Sequence, residues 1–582
     1  MYRQEHLARV LHYVLFFIFV VIVLSLFNLQ IIHYDKYNLT AENNFLRIKT
    51  IYPIRGDIYD SNFQPIVTNK PSYNLYFTPV KITNKDKITQ FITGNFKITT
   101  KEIEDIIYKS RFRKYQDILI LQNVAYEKML KISEEMNYFP ALSFKSEAVR
   151  DYKYPNHFTG HLGRINEREY AKLKDKGYSI NSFIGKNGIE KYYENNLRGK
   201  NGYEIIQVDA KGKNLQFFRH NLDQPSENGA DLILTIDNRL QDYINTIFPA
   251  NTNGSIVVMD PSTGKILAYV SKPDFDLNIF SKHIVQKDWD KLTNDPNKPM
   301  LDRIIHGTYP PGSVYKPIIA SLALEDSLIT RDTKLTKCDG GMQVGRRYFK
   351  CWYEDGHGKL NVVDAMKYSC DVFFYDLSRE ITLDHFREYS IKSKLCTKLG
   401  IDLPDERSGF FPTRSWYVDN YTDYVGILGH KVNLAIGQGE VLVTPLQICS
   451  YYAAIHNKGK WVQPHLLDKI ITQKETKKAK IYSEYLPLSD RTAELLEESL
   501  FKAVNGAYGT GVAASITEAT VYGKTGSSEN HMGENTHAWF SGYAKCENKS
   551  NIAFVIFMEN AGHGGSISAP IAKKLIRYYV KL

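Results

Sequence analysis

The spacing of hydrophobic positions changes several times along the chain, and each change marks a boundary. From Val10 to Ile32 no charged residue appears, and Val14–Phe27 is almost wholly aliphatic or Phe. A run of that length spans the hydrocarbon core of a bilayer. Arg3 and Arg9 precede it, which keeps the N-terminus cytoplasmic. Asn28-Leu29-Gln30-Ile31-Ile32 offers no small-residue cleavage site, so the segment reads as a retained anchor rather than a cleaved leader. The expected order is a cytoplasmic tail (1–10), an anchor (11–32) and a large remainder outside the cytoplasm, with no second run long enough to span.

Residues 33–228 carry many charges, short strand-like runs and glycine turns, and Asp35–Ile51 reads as a stalk. No nucleophile sits beside a base there, so the region is expected to be a non-catalytic pedestal. Gln224-Pro225-Ser226-Glu227-Asn228-Gly229 has the composition of a linker. Beyond it, in 229–582, the period alternates between 2 and 3.6. Ser255–Met259 and Lys265–Ser271 flank a Pro-Ser-Thr-Gly turn and predict a hairpin. Ala519–Thr525, His537–Ala544 and Ile552–Glu559 predict three more strands joined by short polar connections. Helical periodicity covers Ser313–Leu324, Val362–Leu377, Ser489–Val504 and Ala569–Val580. The expected fold is an α/β (α+β) sandwich: a five-stranded antiparallel sheet with helices on both faces.

Composition adds little to this picture. A chain of 582 residues with 43% hydrophobic and 24% charged residues is globular and too long for one core. The net charge of +10 suits a lysine-rich surface near anionic lipid, and no nucleic-acid motif accompanies it.

Candidate chemistry centres on Tyr309-Pro310-Pro311-Gly312-Ser313-Val314-Tyr315-Lys316. Three residues of spacing put the Ser313 hydroxyl and the Lys316 amine on one helical face. A serine needs a neighbouring base to become a nucleophile, and a buried lysine can be that base, because burial disfavours its charged form. On the local string alone, Ser313 as a helix N-cap with Lys316 a solvated surface charge is the equal alternative. S-x-x-K recurs at Ser262 and Ser499, but the first lies in a hairpin turn and the second inside an amphipathic helix. The one K-T-G, Lys524-Thr525-Gly526, falls on a predicted strand, where lysine and hydroxyl can hold a substrate carboxylate and glycine admits an extended peptide. Ser369-Cys370-Asp371 supplies a third polar element between the two.

These three motifs resemble those of the class B penicillin-binding proteins. The resemblance extends to Arg55-Gly56…Asp60, Gly188-Ile189-Glu190, Gly400-Ile401-Asp402-Leu403-Pro404 and Gly437-Gln438-Gly439…Thr444-Pro445. Asp371, where the general motif has Asn, is similar to the elongation-specific subgroup, the penicillin-binding protein 2 type. The resemblance implies a peptidoglycan D,D-transpeptidase acting in elongation and rod-shape maintenance. In it, Ser313 attacks the penultimate D-Ala carbonyl of a stem peptide and Lys316 takes its proton. Ser369 relays a proton to the leaving D-alanine, with Asp371 bounding the site. Lys524 and Thr525 bind the terminal carboxylate, beside Gly526, and the backbone N–H groups of Ser313 and Ser527 form the oxyanion hole. The implied partners are D-Ala-D-Ala stem peptides, β-lactams, a polytopic SEDS-type glycosyltransferase and other elongation-complex proteins. The implied location is the bacterial inner membrane, with the bulk of the chain periplasmic.

Cysteines carry a second signal. Cys338, Cys351, His357 and Cys370 offer three sulfurs and one imidazole, the donor set of a closed tetrahedral zinc site. A Cys338–Cys351 disulfide is the alternative in an oxidising compartment. The elongation subgroup is similar in having zinc beside its active site. Cys396, Cys449 and Cys546 read as ordinary thiols, His563 as a loop residue, and His306 and Tyr309 as packing. Two other functions compete with the transpeptidase. A serine β-lactamase or D,D-carboxypeptidase would give the acyl group to water, and a non-enzymatic reading makes the chain an activator of a membrane glycan polymerase.

Overall fold

The computed structural model describes residues 2–34, 46–110, 117–179, 182–208, 214–216, 223–281, 284, 286–421, 427–530 and 535–582. The stalk expected over Asp35–Ile51 lies outside the described residues as far as position 45; Leu46–Ile51 is a strand. Two compact units emerge. One comprises Met1–Ile54, Pro71–Ala148 and Gly199–Gly229; the other comprises Arg55–Lys70, Val149–Arg198 and Ala230–Leu582.

In the first unit, Tyr2–Phe27 is an α-helix ending in a π turn, Asn28–Ile32. The stretch His6–Ile32 is long and apolar enough to cross a membrane. Elsewhere in this unit, Lys85–Asn95, Thr100–Lys109 and Tyr126–Met136 are amphipathic helices. They bury Ile88, Ile92, Ile103 and Ile132 with Leu75 and Phe77. Thr99 and Glu102 exchange hydrogen bonds in a capping box that fixes the start of the second helix.

The second unit is built on the expected sheet. Its strands are β1 (Gly254–Met259), β2 (Ile266–Lys272), β3 (Thr520–Ser528), β4 (His537–Lys545) and β5 (Ile552–Met558). They run antiparallel in the order β2-β1-β5-β4-β3, so β3 is an edge. Helices α1 (Asn238–Ile247) and α7 (Ser568–Lys581) cover one face, while α2 (Lys316–Glu325) and α5 (Pro445–His456) contribute to the core on the other. Strand β5 shows why both faces close. Ile552, Phe554, Ile556 and Met558 enter the core with α1 and α7, and Ala553, Val555 and Phe557 enter the other. Every residue of β5 is buried, which explains its unbroken apolar run.

Two helical expectations need correction. The segment Val362–Leu377 is not one helix but two, α3 (Val362–Lys367) and α4 (Asp371–Glu380). The break falls at Ser369, whose φ of 55° lies in the left-handed region. Apolar periodicity continues across it because both short helices face the same core. The Ser313 segment opens as a 3₁₀ turn, Gly312–Tyr315, before α2 starts at Lys316 with Pro317 in its first turn. Helix α6 (Asp490–Asn505) begins as expected at Ser489, whose side chain accepts from the Thr492 N–H.

The second unit also contains a buried charge cluster. Glu190 is fully buried; its carboxylate accepts from Arg55 Nε at 2.7 Å and Arg150 Nε at 2.8 Å. Arg55 also bonds Glu194 at 2.7 Å. Burial penalises the Glu190 charge, but Arg150 and then Arg55 more than offset it and hold the carboxyl below its usual range. A carboxyl lowered by folding contributes stability that is present above its unfolded value of about 4.3 and is lost as pH falls through the folded value. Glu190→Gln is expected to cost about 3–5 kcal/mol at pH 7, because it removes the one carboxylate the two buried guanidinium groups share, leaving Arg55 only Glu194 and Arg150 only Asp57, 3.7 Å away. Unfolding measured across pH should show that cost shrinking as wild-type Glu190 protonates. Equal stability of the two proteins at pH 7 would contradict the assignment.

Candidate active site

Ser313 is held by the backbone around it. Gly312, at φ +59°, donates its N–H to the Gly437 carbonyl at 2.8 Å. A Cβ on Gly312 would lie 2.8 Å from the Ser527 carbonyl oxygen, so only glycine lets this turn approach β3 so closely. On either side, Trp539 Nε1 donates to the Pro310 carbonyl at 3.1 Å and Tyr452 Oη to the Val314 carbonyl at 3.0 Å. Ser313 itself is half-buried between these anchors.

Lys316 has no exposed surface. Its Nζ donates to the Ser369 carbonyl at 2.8 Å, to Ser369 Oγ at 3.2 Å and to Asp371 Oδ1 at 2.7 Å. Three acceptors match the three protons of an ammonium. The left-handed backbone at Ser369, worth about 1–2 kcal/mol of strain for a residue with a Cβ, places carbonyl and hydroxyl on the same amine. The other oxygen of Asp371, Oδ2, accepts the Trp352 N–H at 3.1 Å. Burial raises the Asp371 carboxyl above its ordinary value, against the opposing charge of Lys316. The sequence pointed to an uncharged amine set against Ser313; the described contacts of Lys316 Nζ are instead with Ser369 and Asp371.

Among the described residues, the lysine whose charge is most disfavoured is Lys524. It is fully buried, and desolvation followed by the like charge of Lys316 pushes its amine well below the usual value, with Asp371 opposing. Lys524 donates to the Thr525 carbonyl at 3.2 Å, and Thr525 Oγ1 donates to Thr510 Oγ1 at 2.9 Å. The edge of β3 can be read residue by residue. The carbonyls of Val521, Thr525 and Ser527 receive side-chain donors from Asn505, Lys524 and Gln438. In a strand the N–H and C=O of one residue point the same way, so odd-numbered residues face away from β4. The Thr525 and Ser527 N–H groups therefore open onto the side where Ser313 lies. Gly526 also has a use within the fold. A Cβ there would sit 3.1 Å from the Pro311 carbonyl oxygen and from Val314 Cγ1, so the missing side chain seats the Ser313 turn.

The four sequence-picked ligands converge. The sulfurs of Cys338, Cys351 and Cys370 and a ring nitrogen of His357 lie within 4.8 Å of one another. His357 Nδ1 is 3.7 Å from Cys338 Sγ and 3.5 Å from Cys351 Sγ. Tetrahedral zinc, with Zn–S of about 2.3 Å and Zn–N of about 2.0–2.1 Å, would separate sulfur from nitrogen by about 3.6 Å, so the donors fit. Hydrogen bonds from the Cys370 thiol and then from His357 favour the thiolate of Cys351 and pull it well below the ordinary thiol range. All six cysteines are free, and Cys338 and Cys351 form no disulfide.

The transpeptidase-domain model of the penicillin-binding proteins matches residues 254–577, and the penicillin-binding protein dimerisation domain matches 50–234. The chain belongs to the penicillin-binding proteins. It is 31% identical to the peptidoglycan D,D-transpeptidase MrdA of Haemophilus influenzae over 96% of this chain and 89% of that one. The MrdA of Escherichia coli K12 is 33% identical over 77% and 71%. Among solved structures, PBP2 of Helicobacter pylori in complex with MreC superposes with a TM-score of 0.78 at 26% identity, covering 92% and 99%. Pseudomonas aeruginosa PBP2 in complex with WCK 5153 gives 0.68 at 26% identity, covering 92% and 96%.

This penicillin-binding protein thus brings Ser313, Lys316, Ser369, Asp371, Lys524, Thr525, Gly526 and Ser527 together, with the Cys/His cluster beside Asp371. Three participants were not read from the sequence. Gln438 bonds Ser527; His563, taken for a loop residue, places Nδ1 3.3 Å from Ser527 Oγ; and Trp352 supports Asp371. The Gly-Gln-Gly string was the one available signal for Gln438. Tyr309, taken for packing, donates to Glu559 at 2.6 Å. Lys524→Met is expected to raise the thermal midpoint, because it removes a buried amine whose charge folding disfavours, while slowing acylation by a β-lactam at least ~10-fold. Differential scanning fluorimetry and stopped-flow acylation check both halves; a lower midpoint would mean that the buried amine is a net stabiliser.

Proposed function

We propose that this chain cross-links peptidoglycan stem peptides during elongation and rod-shape maintenance, through an acyl ester on Ser313. It is a serine-type D,D-transpeptidase. The observation that carries the residue assignment is the buried set Lys316, Ser369, Asp371 and Lys524 gathered around a serine at the edge of an open strand. Ser313 Oγ attacks the penultimate D-Ala carbonyl of a stem lying along β3, and its proton passes to Lys316. For that transfer the amine first passes one of its three protons to the Asp371 carboxylate, 2.7 Å away. The tetrahedral oxyanion is held by the N–H groups of Ser313 and Ser527. Collapse breaks the peptide bond, and the departing D-alanine amine takes a proton through Ser369. The terminal carboxylate rests on Lys524 and Thr525, and its arrival gives the Lys524 charge a partner. The amine of a second stem then attacks the ester, forms the cross-link and returns the proton to Ser313. A β-lactam enters the same path and stays as the acyl group.

We assign 11–32 as a single membrane anchor with the tail 1–10 cytoplasmic and the rest periplasmic, in a bacterial inner membrane. Residues 33–228 serve as the non-catalytic pedestal and 229–582 as the catalytic part, with Arg55–Lys70 and Val149–Arg198 packed into the same compact unit as the latter. We assign a structural zinc to Cys338, Cys351, His357 and Cys370; it would tie the Cys351 loop to the start of α4, the helix that carries Asp371. Elongation-complex proteins, including a SEDS-type polymerase, are the proposed partners. The Helicobacter pylori PBP2–MreC complex supports that reading.

Two measurements test these assignments. After incubation with a labelled penicillin, intact mass should show one adduct, mapped to the peptide bearing Ser313 and absent in Ser313→Ala. An adduct on another residue would overturn the nucleophile. Elemental analysis of protein purified without added metal should give about one zinc per chain, lost in Cys370→Ser together with part of the thermal stability. Metal-free wild-type protein of unchanged stability would overturn the zinc.

A further inference from the structure

Resting on the assignment of Ser313 and Ser527 as oxyanion donors, we infer that Gln438 is the positioning residue that holds the two halves of that hole together, with His563 as its second support. The donors belong to different elements. Ser313 lies on the turn before α2 and Ser527 lies on β3, so their separation depends on what joins the two. The dipeptide Gly437-Gln438 makes that join. The Gly437 carbonyl accepts the Gly312 N–H at 2.8 Å, and Gln438 Nε2 donates to the Ser527 carbonyl at 3.2 Å. Gln438 Oε1 also accepts the Glu529 N–H at 3.2 Å. A single side-chain amide therefore imitates a neighbouring strand, pairing with Ser527 and Glu529 on the outward face of β3. This has two consequences. It fixes the plane of the Ser527 peptide, and so the direction of its N–H. It also occupies the edge at Ser527–Glu529, leaving the edge toward Thr525 for an extended peptide, so the substrate strand has an end-stop.

Gly437 and Gly439 have φ of +71° and +77° and turn the chain sharply on either side of Gln438. A Cβ on Gly437 would meet the Gly312 carbonyl oxygen at 2.3 Å. On the opposite flank, His563 Nδ1 lies 3.3 Å from Ser527 Oγ and the Gly564 N–H donates to the same oxygen at 3.4 Å. The Ser527 side chain and backbone are thereby gripped from two loops at once.

The test uses detergent-solubilised full-length protein and a chromogenic cephalosporin, with Gln438→Ala, Gln438→Glu and His563→Ala. Gln438→Glu is nearly isosteric and keeps an oxygen for the Glu529 N–H, but it cannot donate to Ser527. The acylation rate constant should fall about 10- to 100-fold in both Gln438 variants and about 3- to 10-fold in His563→Ala, less than the loss of an oxyanion donor itself. The dissociation constant of the pre-covalent complex should stay within about threefold, because the defect arises as the oxyanion forms. Infrared difference spectra of the acyl-enzyme should show the ester carbonyl stretch moved to higher frequency, since a misaligned N–H polarises it less. Wild-type rates in both Gln438 variants, or slower acylation with an unmoved carbonyl band, would overturn the inference. Absence of a Ser313 adduct in the wild type would instead overturn the nucleophile assignment on which it rests.

Discussion

The buried ion pair between Lys316 and Asp371 is the constraint around which the rest of the site is arranged. An amine with no exposed surface must find acceptors for its protons, and an uncompensated charge there would cost several kcal/mol. The fold meets this by breaking a helix. The chain leaves α3, takes one left-handed residue at Ser369, and starts α4 at Asp371. That break delivers a carbonyl, a hydroxyl and a carboxylate to one nitrogen. The Cys/His cluster lies directly behind it, since Cys370 precedes Asp371 and Cys351 precedes Trp352, whose N–H holds the second carboxylate oxygen.

The second constraint is the free edge of β3. An exposed edge invites pairing with another chain, and most proteins cover or charge it. Here the edge is partly closed by side chains, Asn505 at one end and Gln438 at the other. The interval between them borders the Ser313 turn and is suited to an extended peptide. Close approach of turn and strand requires glycine at Gly312 and at Gly526, and the two glycines face each other's backbone neighbourhood. The proposed nucleophile and the proposed carboxylate-binding strand are therefore one packed assembly.

Much of this was legible in the sequence because the signals are local. Alternating and continuous apolar runs located all five strands within a few residues, and the three short motifs named most of the site. What escaped is set by contacts distant in sequence. Periodicity ran through Ser369 without a sign of the break, since both helices bury the same face. The Glu190 cluster joins residues 135 and 40 positions away, so Arg55 and Gly188-Ile189-Glu190 were recognisable only as family strings and not as one ion pair. Gln438 and His563 carry no motif chemistry of their own; their importance comes from the backbone group each meets. The state of the two lysines was also not legible. The sequence set the Lys316 amine against Ser313 without showing that it also meets the Asp371 carboxylate, and it did not show that Lys524 is a buried amine whose charge desolvation disfavours.

The central claim is that Asp371 holds the buried Lys316 in the arrangement that activates Ser313. The most direct measurement is the second-order acylation rate by benzylpenicillin in Asp371→Ala, with folding monitored by circular dichroism. Loss of a buried partner worth about 3–5 kcal/mol corresponds to a decrease of about two to four decades. Asp371→Asn, which keeps one acceptor oxygen, is expected to fall in between. A folded Asp371→Ala protein acylated as fast as the wild type would contradict the account.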